Sequence, residues 1–144
     1  MSGREYPDRP WVGIGCVVLR GEEVLLVRRG RPPLAGQWSI PGGAQALGET
    51  AEATARRELR EEAAVEVGPL RHAVAVDVIE RDAEDRVRFH YTILDFCADW
   101  VSGEPRAGDD AAEARFFAPA EVEALELWGE TRRAIAAARA QLRP

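Results

Sequence analysis

The apolar positions of this chain follow two periods, and each marks a different kind of element. Residues 12–19 are a nearly unbroken, valine-rich run, the pattern of a strand buried on both faces. Arg20-Gly21-Glu22 supplies a turn and residues 24–27 a second strand, so a hairpin is predicted here. Further on, Ala51, Ala55, Leu59 and Ala63 recur at every fourth position, a narrow helical stripe of mostly small residues. Residues 65–67 read as a short strand closed by Gly68-Pro69, and residues 73–79 and 87–96 as two more, joined by the charged turn 80–86. In the latter strand Phe89, Tyr91 and Ile93 share one face, with Asp95 next in the series, while His90, Thr92, Leu94 and Phe96 share the other. His90 is therefore expected as a partly buried strand residue rather than a catalyst. Residues 100–112 read as a loop and residues 114–117 as a last strand. Pro119 opens a helix that runs into residues 121–125, and Gly129 separates it from a final helix over 131–142. This order predicts an α/β fold, a mixed sheet with helices on both sides.

Composition narrows the setting. With 144 residues and no internal repeat or linker, residues 1–144 are expected to form one domain, with 1–10 as an extended polar arm carrying Pro7 and Pro10. The formal charge of −6 disfavours nucleic acid and anionic membrane as partners. No apolar run approaches the ~20 residues of a membrane span, and the N-terminus lacks a signal-like apolar core. Cys16 and Cys97 lie in strand-like apolar runs and are expected as buried free thiols rather than a disulfide. A cytoplasmic protein is the expectation.

The candidate chemistry lies on the helix over the small-residue stripe. Glu58, Glu61 and Glu62 stand at i, i+3 and i+4, on one helical face, where like charges repel. Two of them also sit in the last turn, at the negative end of the helix dipole. A divalent cation makes such a cluster tolerable, and hard carboxylate oxygens suit Mg²⁺. Thr50 is a good N-cap, with Glu49 and Glu52 near the favourable positive end of the dipole. Arg57 could pair with Glu49 or Glu61. Ahead of the helix, Pro41-Gly42-Gly43 reads as a turn whose glycines permit positive φ and close backbone approach.

Gly43, Glu49, Arg57-Glu58-Leu59, Glu61-Glu62, Ala64 and Val65, at these spacings, resemble the Nudix box, and Gln37-Trp38-Ser39-Ile40-Pro41-Gly42 resembles the segment that commonly precedes it. The one departure is Ala64, where the family has glycine. Alanine has no side-chain hydrogen bond to support a positive φ, so the helix is expected to pass into Val65 without a left-handed residue. The resemblance implies a Nudix-type α/β/α sandwich and Mg²⁺-dependent (or Mn²⁺-dependent) cleavage of a pyrophosphate by attack of water on phosphorus. It implies Glu58 and Glu62 as main metal ligands, supplemented by Glu61 and the Gly43 carbonyl, with Glu49 and Arg57 as a supporting pair. It also implies a carboxylate on the loop before the last strand as general base. Asp110 occupies that place, with Asp109 and Glu113 as alternatives, against the plainer reading that Asp109 and Asp110 solvate a turn.

Three functions follow from the resemblance. The first is hydrolysis of a nucleoside diphosphate linked to another moiety, NDP-X, such as ADP-ribose. The second is a MutT-like triphosphatase, and the third a Nudix-like sensor without catalysis, which would tolerate eroded acidic positions. Many ADP-ribose hydrolases carry a proline about fifteen residues past the box, and Glu80, Arg81 and Asp82 offer none. The partner is a small-molecule nucleotide, and a homodimer is allowed. Arg28, Arg29 and Arg31 form either a solvated loop or a phosphate grip. Trp11, after Pro10, either stacks a nucleobase or packs the arm onto the sheet.

Overall fold

A computed structural model describes residues 3–30, 36–108 and 111–144. The valine-rich run forms β1 (Trp11–Arg20) and the next apolar run β2 (Glu23–Arg29). These are followed by β3 (Trp38–Ser39), β4 (Gly42–Ala44), α1 (Ala51–Ala63), β5 (Glu66–Val67), β6 (Arg71–Arg81) and β7 (Val87–Ser102). The chain closes with β8 (Ala111–Phe117), α2 (Pro119–Ala124) and α3 (Gly129–Leu142).

β1 lies at the centre of a mixed sheet ordered β3-β2-β1-β7-β5, with β4 on β1, β6 on β7 and β8 on β2. It runs parallel to β7 and antiparallel to β2 and β4. Both faces of the sheet are covered, which is why the β1 sequence is apolar without alternation. Ile14, Cys16 and Val18 point to α1 and pack with Ala55, Leu59, Ala63 and Phe116. Val17 and Leu19 point the other way and pack with Phe117, Val122, Ala134, Ile135 and Ala138 of the α2–α3 layer. The result is the expected α/β/α sandwich. Cys16 and Cys97 are buried and free, as expected.

Several boundaries differ from the sequence reading. Gly42 and Gly43 form a strand rather than a turn, and neither has positive φ. Close approach is the part of that expectation that holds: a Cβ on Gly42 would collide with the Ile14 carbonyl oxygen. β7 runs through Ser102 because β5 pairs with its far end, Val67 opposite Trp100. The loop expected over 100–112 is correspondingly shorter. The short strand expected over 65–67 is Glu66–Val67, and Gly129 begins α3 instead of separating it from α2. The N-terminal arm is folded back on the β6–β7 turn. Tyr6 N donates to Arg88 O at 2.8 Å, and Tyr6 Oη donates to Asp82 Oδ2 at 2.9 Å.

The clearest correction is at Ala64, which has φ 60° and ψ 34°, a left-handed residue. Ala63, Val65 and Val67 are all buried, so the chain must leave the helix sharply to keep them under the sheet. The left-handed turn does this, while Ala64 N still donates to Arg60 O at 3.1 Å, an ordinary helical bond. Packing outweighs a cost of about 1–2 kcal/mol for a non-glycine residue. Ala64→Gly should therefore stabilise the protein by roughly 0.5–1 kcal/mol in urea unfolding, part of the relief being offset by the freer unfolded chain. An unchanged or lowered midpoint would show that Ala64 carries no strain.

Asp82 gives a pH prediction. Its Oδ1 accepts from Glu84 N at 2.9 Å and Arg86 N at 3.0 Å, and the Arg86 backbone bond, aided by Tyr6 Oη, holds its pKa down from 3.8 to about 2. A depressed carboxylate contributes stability that is present above its unfolded pKa and lost as pH falls through the folded one. Asp82→Asn should lower the melting temperature at neutral pH, and its deficit against the wild type should shrink between pH 3.8 and about 2. A deficit that stays constant with pH would exclude an ionised Asp82 as the anchor of the arm.

Candidate active site

Arg57 ties the acidic residues together. Thr50 caps α1 as expected, its Oγ1 accepting from Ala53 N at 3.0 Å, and Glu49 lies just outside the helix. Arg57 donates from Nε to Glu49 Oε2 at 2.6 Å and from Nη2 to Glu49 Oε1 at 2.9 Å, a bidentate fork. Its Nη1 donates to Glu58 Oε1 at 2.8 Å and lies 3.3 Å from Glu61 Oε2. The alternative left open by the sequence, Glu49 or Glu61, resolves to both, with Glu49 much the stronger partner. Ala46 N and Thr54 Oγ1 also donate to Glu49 Oε1. The Arg57 bonds first, then these two, lower the Glu49 pKa to about 2, and the same bonds raise that of Arg57. Glu49 is thus ionised at any working pH.

Glu58 and Glu62 face the β4 glycines. Gly42 N donates to Glu62 Oε1 at 2.7 Å. A Cβ on Gly43 would lie 2.6 Å from Glu58 Cδ, so only glycine lets the Glu58 carboxylate rest against this strand. Glu58 keeps 14% of its side-chain exposure and Glu61 41%, which orders them from crevice to rim. As placed, no three His, Cys, Asp or Glu side chains among the described residues converge closely enough to hold a metal ion. Among the described contacts, Arg57 is the cation shared by Glu49, Glu58 and Glu61. The donors themselves, clustered carboxylates beside glycine backbone, are the hard oxygen set that a Mg²⁺-like ion takes.

The remaining candidates are spread around this cluster. Trp11 opens β1, with the Arg4 guanidinium 5.2 Å from its ring centroid. It lines a cavity of about 850 Å³ that also includes Tyr6, Pro10, Gln45, Leu47 and Glu49. Trp11 thus packs against Arg4 of the arm and borders a space that reaches Glu49. Arg28 ion-pairs with Glu113 at 3.3 Å and lies over Trp38, while Arg29 follows it on the opposite face of β2. The expected general base, Asp110, lies outside the described residues, as do Asp109 and Arg31. Two contributors went unremarked in the sequence. Thr54 is a buried hydroxyl on Glu49, and Gln45 Nε2 donates to Glu49 O at 2.7 Å. Thr54, four residues before Glu58 and eight before Glu62, is the only one of the two with a sequence signal, a hydroxyl in the same helical row as those carboxylates.

The family model described as NUDIX domain matches residues 9–138. An ADP-ribose pyrophosphatase of Methanocaldococcus jannaschii is 33% identical over 75% of this chain, which spans 62% of that relative's length. A Mycobacterium tuberculosis protein named "Putative 8-oxo-dGTP diphosphatase 2" is 40% identical over 69% of this chain and 67% of its own. Among solved structures, a MutT NUDIX hydrolase from Burkholderia pseudomallei superposes with TM-score 0.77 at 30% identity, covering 90% of this chain and 98% of that one. The NUDIX domain of Shewanella oneidensis NrtR, complexed with ADP ribose, gives 0.79 at 22% identity over 94% and 90%, a likeness of fold.

Arg57 is the test of this electrostatic scheme. Arg57→Ala removes the cation that Glu49, Glu58 and Glu61 share and should lower the melting temperature, whereas Arg57→Lys, lacking the fork, should recover part of the loss. Adding Glu49→Gln to Arg57→Ala should restore stability relative to Arg57→Ala alone. An Arg57→Ala variant as stable as the wild type would remove Arg57 from this role.

Proposed function

Because this chain belongs to the Nudix family, we propose that it hydrolyses the pyrophosphate of nucleoside diphosphates linked to a second moiety, yielding a nucleoside monophosphate and a phosphorylated product. The observation that carries this reading is Glu49, which lines the cavity bordered by Trp11 and is bonded to Arg57, the partner of Glu58 and Glu61 on α1. At about 850 Å³ the cavity has the size of a small-ligand site. A substrate with an uncharged end beside its pyrophosphate suits an aromatic cavity next to a charged cluster. The pyrophosphatase name of the M. jannaschii relative agrees with it.

In this reading Glu58 and Glu62 hold a divalent cation, Mg²⁺ or Mn²⁺, with Glu61 and the Gly43 carbonyl in support. Such an ion would neutralise charge developing on the phosphates and lower the pKa of a bound water. The chain's own part is positional. Arg57 and Glu49 fix the helix face, Gly42 N orients the Glu62 carboxylate, and Asp110 takes the proton of the attacking water. Arg28 and Arg29 hold phosphate or ribose, and Trp11 stacks the base. The intact acidic positions argue against a sensor without catalysis. A MutT-like (d)NTP pyrophosphohydrolase is the second reading, favoured by the 40% identical relative and its diphosphatase name.

Glu62→Gln should lower kcat by about two or more orders of magnitude while leaving the fold intact, since it relieves like-charge repulsion. Near-normal Mg²⁺-dependent turnover would move the metal elsewhere. In a substrate panel, kcat/KM for ADP-ribose or another NDP-X should exceed that for any canonical or oxidised dNTP. A dNTP turned over ten-fold better than every NDP-X would establish the MutT-like reading instead. Trp11→Ala should raise KM more than it lowers kcat, because stacking is shared by ground and transition states.

A further inference from the structure

One long edge of the sheet is open. β6 pairs with β7 and with no other strand among the described residues. Two bonds show which way its backbone groups point. Asp99 O of β7 accepts from Gly68 N at 2.9 Å, so odd-numbered residues of β7 bond toward the side where β5 and β6 lie. Their partners on β6 are Val74, Val76 and Val78, opposite Asp95, Ile93 and Tyr91. Ala75 O accepts instead from Arg133 of α3, at 3.3 Å. By alternation, the N–H and C=O groups of Asp77, Ile79 and Arg81 face away from the sheet. The bulge between Glu80 and Arg81 skips Arg88 of β7, so β6 itself stays regular here. The side chains of Asp77, Ile79 and Arg81 share one face and all are exposed, Ile79 at 52%.

An open edge templates pairing with another strand unless its charges forbid it. Here the charges are placed symmetrically, Asp77 two residues before Ile79 and Arg81 two residues after. If two copies of β6 pair antiparallel about a two-fold axis at Ile79, each Asp77 lies opposite the second copy's Arg81. The match occurs twice, with the two Ile79 side chains in contact between the pairs. Centred at Asp77 instead, the same strands would set two aspartates face to face, which is unfavourable. Arg81 is available for this role, since its ion pair with Asp85 is long, 3.8 Å, and exposed. α3 also leaves room. It meets β6 at Arg71, which donates to Gln141 O at 3.1 Å, and at Ala75. Ile79 lies four residues beyond Ala75, about 13 Å along the strand, so the two copies of α3 flank the axis without colliding. No residue lining the cavity at Trp11 belongs to β6, so pairing leaves that cavity open.

We propose that the outer edge of β6 is an interface with a second copy of this chain, paired antiparallel about Ile79 with reciprocal Asp77–Arg81 ion pairs. The sheet then runs continuously through both copies. The paired stretch is short, so the interface is small and the association weak and concentration-dependent. The proposal does not depend on which phosphoanhydride is cleaved.

Sedimentation velocity on the full chain, from micromolar to millimolar concentration, tests this directly. The wild type should dimerise as concentration rises. Asp77→Lys and Arg81→Glu each turn two attractive pairs into two repulsive ones, and each should weaken the dimer at least about ten-fold. Mixed in equal amounts, the two variants present opposite charges at every pair and should dimerise as the wild type does. The double variant Asp77→Lys/Arg81→Glu should do the same on its own. Both positions are exposed, and circular dichroism checks that each variant keeps its fold. A wild type that stays monomeric throughout overturns the proposal. So do single variants that dimerise as well as the wild type, or a mixture that fails to recover the dimer. No turnover is measured, so the outcome stands apart from the substrate panel.

Discussion

Mutual repulsion among four carboxylates is the constraint around which this protein is arranged. Glu49, Glu58, Glu61 and Glu62 are kept close by a guanidinium fork, a capped helix start and a backbone N–H from β4. Each of these needs the others. The fork requires α1 to begin at Ala51, so that Arg57 lies above Glu49. The N–H requires β4 to lie tight on β1, which only glycine at position 42 allows. Removing any one leaves charge uncompensated in a crevice, where it is screened less than on an open surface.

The sheet provides rigidity for that cluster, and its sequence shows how. β1 spends its alternate residues on two different layers, one under the acidic helix and one under α2 and α3. Where both layers are present the strand is Ile, Cys, Val and Leu. Where one layer stops, the same strand is glycine. The change from branched side chains to none along a single strand leaves Gly13 and Gly15 against Ile93 and Asp95 of β7.

Much of this was legible beforehand. The run over 12–19, the stripe at 51, 55, 59 and 63, and the acidic spacing at 58, 61 and 62 are local periodicities, and each produced the element or face expected. What escaped was set by partners distant in sequence. Gly42-Gly43 looks like a turn in isolation and becomes a strand only because Ile14 and Gly15 lie opposite. β7 outgrows its apolar run because β5 holds its polar end. Ala64 takes a left-handed conformation because Val65 and Val67 must be buried, a demand that no propensity of alanine reveals. Asp95 was visible only as the last member of an alternating face.

The parallel pairing of β1 with β7 has a kinetic consequence. Trp11 lies beside Tyr91, and β2 pairs with β8 as far on as Phe117, so the central strands meet partners from the opposite half of the chain. Such non-local closure spends loop entropy before contacts return it, and topologies of this kind fold slowly, on the order of milliseconds to seconds. α1 lies between these partners in sequence, with an acidic face that a free helix would not favour. During synthesis, the carboxylate cluster therefore acquires its final shape only after residue 117 has left the ribosome. Until then the helix that defines the protein is among its least secure parts.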